Sequence, residues 1–194
     1  MRYTPQYIKY KFSEPALEVI NNALENDNIL TEKARVFDYV EDVKKQGITN
    51  DLRKATVGWI EDDDLNQMLY DVCNHVNKSV NWNLDIKYLE PVQYGIYDIG
   101  DYFEWHNDQG NIFVADNLVR KVSMSLFLND PDEYEGGELD IDYRDPNCDP
   151  RYDSFKLDRG YGIFFESDLW HRVRPIRSGV RKSLVAWFCG PRYV

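Results

Sequence analysis

The sequence contains no long hydrophobic run and only 3 cysteines and 3 histidines. No stretch approaches the roughly 20 apolar residues that a membrane-spanning helix needs, and the first residues lack the apolar run of a signal peptide. The cysteines are odd in number and form no CxxC pair, so we expect neither a disulfide framework nor a thiolate zinc site. We therefore predict a soluble, cytoplasmic protein without a membrane partner.

Basic residues are scarce relative to acidic ones. The chain has 23 Lys and Arg against 34 Asp and Glu, which gives a formal net charge of -11. A field of this sign repels the phosphate backbone of nucleic acids. We expect no nucleic-acid partner and favour a neutral or basic one, although the basic strip from Arg172 to Lys182 could hold a small anion.

The amino-terminal part of the chain is predicted to contain two helices. Ser13 precedes Pro15 and apolar positions at helical spacing, which is typical of a capped amphipathic helix. The acidic residues 62–64 precede a second apolar stripe over residues 65–76, and acidic groups stabilise the positive end of a helix dipole. We expect these two helices to back a sheet.

Strand patterns dominate the rest of the chain. The hydrophobic period changes to two near residue 86, and turns rich in Asp, Gly and Pro separate the apolar segments. Residues 26–50 are polar and predict a mobile segment without regular structure. Strands are predicted at residues 55–60, 86–97, 101–107, 121–128, 137–143, 161–166 and 182–189.

The predicted fold is therefore α+β, mainly β. No helical stretches alternate with the strands, so a double-stranded β-helix, or jelly roll, is favoured over a parallel α/β sheet. A length of 194 residues favours one domain with one core. We expect a single domain of residues 1–194, in which a helical support region, 1–85, backs a jelly-roll core, 86–194.

One histidine and one aspartate are spaced for metal binding. His106 and Asp108 stand two apart at the end of an extended segment, so their side chains leave the same face. His171 could supply a third ligand from a neighbouring strand. This triad on iron(II) leaves positions open for a chelating cosubstrate and oxygen, although zinc or manganese could use the same ligands. An HxD pair alone is a weak motif.

The last strong strand adds a group that could bind an anion. Period two places Arg181, Ser183 and Trp187 on one face. A guanidinium there can bind a carboxylate through two hydrogen bonds, and the serine hydroxyl adds another donor. A dicarboxylate cosubstrate would fit between the metal and Arg181.

Several segments together resemble the catalytic half of prolyl 4-hydroxylase-like, PKHD-type 2-oxoglutarate oxygenases. The resemblance covers about residues 88–192, and residues 53–60 are similar to a strand that these enzymes place upstream. The segments that carry it, in order, are 97–108, 120–129, 134–139, 170–175 and 179–187.

The resemblance implies a role for individual residues. It implies that the iron ligands are His106, Asp108 and His171. It implies cosubstrate contacts at Arg181, Tyr97, Ser183 and Trp187. Tyr97 and Trp187 could equally be sheet or core aromatics.

The sequence leaves the roles of other residues open. Arg120 and Trp105 could contact the substrate or be structural, and His75 is interpreted as structural. Phe127 stands where related enzymes carry a tyrosine that donates to 2-oxoglutarate, and Ser183 could replace that donor. Gly136 and Gly137 predict a close backbone approach.

The implied activity is hydroxylation of a C–H bond coupled to oxidative decarboxylation of 2-oxoglutarate, with Fe(II) and O2 and with ascorbate left open as a further cofactor. The implied substrate is a prolyl residue of a peptide or protein. Free proline or another small molecule is an alternative. So are a catalytically inactive metal-binding jelly-roll module and a cupin-like hydrolase or isomerase that uses metal-bound water. The sequence leaves the oligomeric state open.

Overall fold

The computed structural model describes residues 5–26, 29–34, 52–109, 118–145, 147 and 149–192. Within these residues the protein is mainly β, with two helices and fifteen strands. In chain order the elements are β1 Tyr7–Lys11, α1 Glu14–Asn26, β2 Thr31–Lys33, β3 Arg53–Lys54, β4 Thr56–Ile60, α2 Asp63–Ser79, β5 Tyr88–Leu89, β6 Val92–Tyr97, β7 Tyr102–His106, β8 Leu118–Phe127, β9 Tyr134–Gly136, β10 Leu139–Asp142, β11 Tyr152–Phe155, β12 Tyr161–Glu166, β13 His171–Val173, β14 Ile176–Gly179 and β15 Arg181–Pro191.

The strands form two main sheets and a short ribbon. The larger sheet has eight strands in the order β1-β12-β8-β15-β6-β4-β2, with β5 paired to β15. The smaller sheet has five strands in the order β11-β10-β13-β7-β3, and β14 pairs with β9. Each described strand pair is antiparallel. The prediction of a mainly β fold without a parallel α/β sheet is confirmed.

Both predicted helices are present. Pro15 lies in the first turn of α1, where its missing N–H costs nothing. The carboxylate of Asp62 caps α2 by accepting a hydrogen bond of 2.7 Å from the backbone N–H of Leu65. Neither described helix is long and apolar enough to cross a membrane.

Side chains of β8 alternate between two apolar clusters. Val122, Met124 and Leu126 belong to a cluster that also contains the buried residues of α1 and α2. Phe127 belongs to a second cluster, which it shares with Leu139 of the smaller sheet. Because successive side chains of a strand point to opposite faces, the two faces of β8 contribute to different apolar clusters. A side chain between the two sheets is therefore shielded from water.

The sequence prediction missed several short strands. The strand predicted at 55–60 is confirmed as β4, but residues 1–85 also contain β1, which pairs with β12, and the separate short strand β3, which pairs with β7. Such short segments are held by partners far along the chain, which a local pattern does not reveal. The strand predicted at 86–97 divides at Pro91 into β5 and β6. Within residues 26–50, β2 was unexpected, and most of the segment that we predicted to be mobile lies outside the described residues.

Candidate metal and cosubstrate site

The three predicted metal ligands converge at the ends of β7 and β13. His106 and His171 are paired residues of these neighbouring strands, and Asp108 follows β7. One ligand atom from each residue lies within 4.8 Å of the others. The Nε2 atoms of His106 and His171 lie 3.8 and 3.5 Å from the Asp108 carboxylate oxygens. The structure thus brings together two imidazoles and one carboxylate around a common point, which is the donor set of a 2-His-1-carboxylate metal site.

The backbone fixes which nitrogen of each imidazole faces that point. His106 Nδ1 lies 2.8 Å from the carbonyl oxygen of Glu104, and His171 Nδ1 lies 3.0 Å from that of Leu169. A carbonyl oxygen can only accept a hydrogen bond, so each Nδ1 carries the proton. The Nε2 lone pairs are left free for a metal, as in most histidine metal sites.

Two serines orient the Asp108 carboxylate. Ser123 Oγ donates a hydrogen bond of 2.7 Å to Asp108 Oδ2. The Ser167 hydroxyl lies 3.0 Å from Ser123 Oγ, and because the Ser123 proton is already used, Ser167 is the donor. The backbone N–H of Asp108 also donates to the Ser167 carbonyl, at 2.8 Å. Asp108 is therefore held by both β8 and the turn after β12.

The pKa values of the ligands suit metal binding at neutral pH. Burial, the neighbouring His171 and the charge of Arg53 together lower the pKa of His106 to about 3. Burial by itself raises the pKa of Asp108, but the two imidazoles and Arg120 outweigh it and lower that pKa to about 2. At pH 7 His106 is neutral and Asp108 is ionised, which are the protonation states that a metal requires of its ligands.

A β-bulge in β7 turns two rings toward the site. His106 pairs with His171 and Phe103 with Val173, so the register shifts between the two pairs. The bulge places Phe103 and His106 on the same face, although they are three residues apart. Their rings stack with centroids 3.4 Å apart and planes 13° apart. Phe103 therefore restrains the His106 ring.

Arg181 is a buried cation without an acidic partner among the described residues. It is 1% exposed, and its guanidinium lies between the rings of Tyr97 and Phe127, at 5.4 and 5.3 Å. Nη1 donates to Ser183 Oγ at 3.0 Å, whereas Nε and Nη2 make no hydrogen bond of normal geometry in the described structure, although the Tyr134 hydroxyl interacts with the guanidinium. A buried unpaired charge is costly unless a ligand compensates it. The two free donors of the fork suit a carboxylate.

Two glycines allow the turn between β9 and β10 to pass close to Arg181. Gly136 and Gly137 have positive φ angles of 78° and 67°. A β-carbon on Gly136 would lie 2.2 Å from the Pro175 carbonyl oxygen, and one on Gly137 would lie 3.0 Å from Arg181 Cδ. The predicted close approach is confirmed, and it packs the stem of Arg181 in place.

The triad and Arg181 line one cavity. The cavity lining also includes the other residues that we predicted to contact a cosubstrate, which are Tyr97, Ser183 and Trp187. The structure therefore places the predicted metal ligands and the predicted carboxylate clamp around the same space.

Three other residues that the sequence analysis considered, Arg120, Trp105 and His75, are not among the residues that line the cavity. Arg120 forms a bidentate ion pair with Glu90, at 2.6 and 2.7 Å, and its guanidinium lies 4.0 Å over the Trp187 ring. Arg120 therefore supports a cavity residue without being among those that line the cavity. Trp105 packs on Arg172 and Tyr152 and is not among the residues that line the cavity, and its contact with substrate stays a prediction. His75 is exposed on α2 and belongs to no candidate metal cluster of the described residues, and its structural interpretation stays a prediction.

Sequence analysis missed five polar residues of this site. They are Arg53, Gln93, Ser123, Ser125 and Ser167. The sequence pattern could have revealed Ser123. In β8 the apolar residues alternate with Ser123 and Ser125, so the two serines share the opposite face of the strand. The others depend on contacts between distant segments.

A protein-family model described as the 2OG-Fe(II) oxygenase superfamily matches residues 92–189. A PKHD-type hydroxylase of Thermosynechococcus vestitus is 37% identical over 102 residues, which are 52% of this chain and 43% of that protein. The matched part of this chain thus spans less than half the length of that relative.

Solved structures share the fold over almost the whole chain. A viral collagen prolyl hydroxylase of Paramecium Bursaria Chlorella virus-1, in complex with 2OG, has a TM-score of 0.65 at 19% identity, covering 96% of this chain and 97% of that one. A prolyl hydroxylase of Trichoplax adhaerens, in complex with a hypoxia inducible factor peptide fragment, has a TM-score of 0.62 at 16% identity, covering 94% and 83%. At such identities the likeness concerns the fold alone.

Proposed function

Because the chain belongs to the 2OG-Fe(II) oxygenase superfamily, whose members use Fe(II) and 2-oxoglutarate, we propose that it is a dioxygenase that hydroxylates a C–H bond of a prolyl residue in a peptide or protein. The observation that carries this proposal is the buried, unpaired Arg181 facing the same cavity as His106, Asp108 and His171. A site for a structural metal alone needs no carboxylate clamp. The inactive-module alternative is therefore disfavoured.

The residues present fit both cofactors. His106 and His171 would hold iron through Nε2, and Asp108 through its carboxylate. Bound iron, together with 2-oxoglutarate and O2, supplies the oxidising power for the C–H bond. Arg181 would bind the distal carboxylate of 2-oxoglutarate through Nε and Nη2, the two donors that make no hydrogen bond of normal geometry in the described structure.

Ser183 takes the place of the tyrosine donor that Phe127 cannot supply. The Ser183 oxygen accepts a hydrogen bond from Arg181, so its own proton is free to donate to the same carboxylate. Phe127 and Tyr97 pack against the guanidinium with their rings. By keeping water away, they strengthen the interaction between Arg181 and an anion.

The remaining walls of the cavity orient and isolate the target carbon. Apolar surface of the cavity comes from Leu139, Phe165 and Val173. Trp187 adds a large ring to the same cavity that the proposed metal ligands line. Exclusion of water from such a site limits side reactions. Arg120, which is held by Glu90, fixes the position of the Trp187 ring. It would contact the substrate from the edge of the cavity.

The proposed prolyl substrate is supported by the proteins to which this chain is similar. They are a PKHD-type hydroxylase and prolyl hydroxylases, of which one was solved with a peptide. The net charge of -11 favours a neutral or basic partner over nucleic acid. The alternative substrate is free proline or another small molecule.

We further propose the organisation and setting of the protein. Residues 1–194 would form one domain, a double-stranded β-helix supported by α1 and α2, since one apolar cluster includes both helices and the larger sheet. The free thiols of Cys73 and Cys189 suit the reducing cytoplasm. Ascorbate would act as a reductant that keeps the iron in its ferrous form.

The test is an assay of the purified protein with Fe(II), ascorbate, 2-oxoglutarate and a proline-containing peptide library. The expected result is a peptide that gains one oxygen atom by mass spectrometry, with stoichiometric succinate. Arg181→Ala should lose both products, whereas Arg177→Ala, which removes an exposed arginine of β14, should keep them. Succinate without a modified peptide would remove the prolyl substrate and keep the enzyme class. Failure of the wild-type protein to bind 2-oxoglutarate would refute the class.

A further inference from the structure

A second arginine lines the cavity on the side of the metal triad. Arg53 lies on β3, the edge strand of the smaller sheet, and its guanidinium stands 4.6 Å over the ring of Phe103. Phe103 in turn stacks on His106. Arg53 Nη2 donates a hydrogen bond of 2.8 Å to Oε1 of Gln93 on β6, in the larger sheet. Arg53 and Gln93 therefore bridge the two sheets beside the proposed metal site.

This pair presents hydrogen-bond donors without acceptors. Arg53 Nε is buried and has no hydrogen-bond partner among the described residues, and no described carboxylate pairs with the guanidinium. Gln93 is 4% exposed, and because its oxygen already accepts from Arg53, its amide nitrogen is the group left to bond a ligand. Arg53 is half-buried, and a buried N–H without an acceptor costs free energy, so a ligand that only accepts hydrogen bonds fits at Nε.

The pair is too far from Arg181 to serve the same ligand end. Tyr97 pairs with Arg181, whereas Gln93 pairs with Val185, four residues away along β6 and β15. Four residues of a strand span about 13 Å. The terminal carbons of an extended five-carbon diacid are only about 5 Å apart, given C–C bonds of about 1.5 Å. A dicarboxylate bound between Arg181 and the metal leaves Arg53 and Gln93 for another molecule.

We propose that Arg53 and Gln93 form a second subsite, which binds an acyl oxygen of the primary substrate next to the carbon that is hydroxylated. This inference rests on the proposed function, because it assumes that Arg181 and the triad hold the cosubstrate and metal. An acyl oxygen is the shared chemistry of two sources, the free carboxylate of an amino acid and the backbone carbonyl of a peptide. Each accepts hydrogen bonds and donates none.

The test measures binding of three probes to protein loaded with 2-oxoglutarate and Mn(II) in place of iron, so that no turnover occurs. The probes are L-proline with a carboxylate, L-prolinamide with a neutral carbonyl, and pyrrolidine, which has the ring alone. Calorimetry gives each Kd. A hydrogen bond to a charged group contributes about 1.5–3 kcal/mol, so the acyl probe that fits should bind at least about tenfold more tightly than pyrrolidine.

Matched variants separate the subsite from general effects. Arg53→Gln should reduce that preference to less than about twofold, whereas Arg53→Lys should retain part of it, because the charge is kept and the fork is lost. Lys54→Gln removes the same charge from the neighbouring, exposed position of β3 and should leave the preference unchanged. Lys54→Gln should also bind 2-oxoglutarate as the wild type does.

The outcomes distinguish the two proposals. A preference for L-proline identifies the carboxylate source, and equal or tighter binding of L-prolinamide identifies the carbonyl source. Equal binding of all probes, absence of probe binding to loaded wild-type protein, or an unchanged preference in Arg53→Gln would overturn the subsite. Loss of 2-oxoglutarate binding by the wild type would instead overturn the proposed function.

Discussion

Replacement of Ser123 by alanine removes a hydrogen bond that orients the Asp108 carboxylate. Ser123 is fully buried, so water cannot easily replace the lost hydroxyl. A hydrogen bond to a charged group contributes about 1.5–3 kcal/mol, and each 1.4 kcal/mol changes an equilibrium constant about tenfold. Loss of a partner that orients a metal ligand typically weakens metal binding about 10- to 100-fold. We expect Ser123→Ala to raise the Kd for Mn(II) by this factor.

The assay is a titration of the metal-free protein with Mn(II), in which electron paramagnetic resonance measures the unbound ion. Ser125→Ala is the matched control, because Ser125 lies on the same face of β8 and also lines the cavity but makes no hydrogen bond to Asp108. Ser167→Ala should have a smaller effect than Ser123→Ala, since Ser167 acts on Asp108 through Ser123 and through a backbone carbonyl. If Ser123→Ala binds Mn(II) within about twofold of the wild type, the hydroxyl does not position the ligand.

Three further predictions concern other parts of the molecule. Gly137→Ala should lower the melting temperature and weaken 2-oxoglutarate binding, because φ is 67° and a β-carbon would lie 2.4 Å from a side-chain atom of β14. Differential scanning calorimetry measures the melting temperature, and an unchanged Tm would contradict this prediction. Cys73 and Cys189 should resist iodoacetamide at pH 7.5 until denaturant is added, since burial raises the pKa of both thiols. Mass spectrometry measures the alkylation, and rapid alkylation of these two thiols in the native protein would contradict this prediction. The metal-free protein should lose stability as pH falls from about 6.5 toward 3, because the unfolded chain protonates His106 before the folded one does; chemical unfolding should show a weaker pH dependence in His106→Gln, and an equal change in the control His75→Gln would contradict this origin.

The local sequence alone suggests the proposed metal ligands and the arginine that we propose binds a carboxylate. His106 and Asp108 are two residues apart on an extended segment, and Arg181 and Ser183 are two apart on a strand, so period two alone puts each pair on one face. Whether these two pairs face each other across one cavity depends on sheet pairing. Residue spacing does not define a partner strand, so the expectation that a dicarboxylate fits between them gained its main support from the family resemblance.

Long-range contacts account for what the sequence did not reveal. The bulge in β7 brings Phe103 onto the face of His106, against the simple alternation of a strand. The same geometry leaves Trp105 on the outer side with Arg172. Arg53 reaches the cavity because β3 joins the edge of the smaller sheet before the chain crosses to β4. None of these outcomes follows from composition or local periodicity.

The central claim is that His106, Asp108 and His171 hold iron opposite Arg181, with 2-oxoglutarate bound between them. An anaerobic titration of the protein with Fe(II) and 2-oxoglutarate, followed by visible absorption, tests this directly, because iron that is chelated by a keto acid has a charge-transfer band. The band should require both additions, saturate at one iron per chain, disappear in Asp108→Ala and need at least about tenfold more 2-oxoglutarate in Arg181→Ala. The absence of the band in the wild-type protein, or a band that is unchanged in both variants, would contradict the claim.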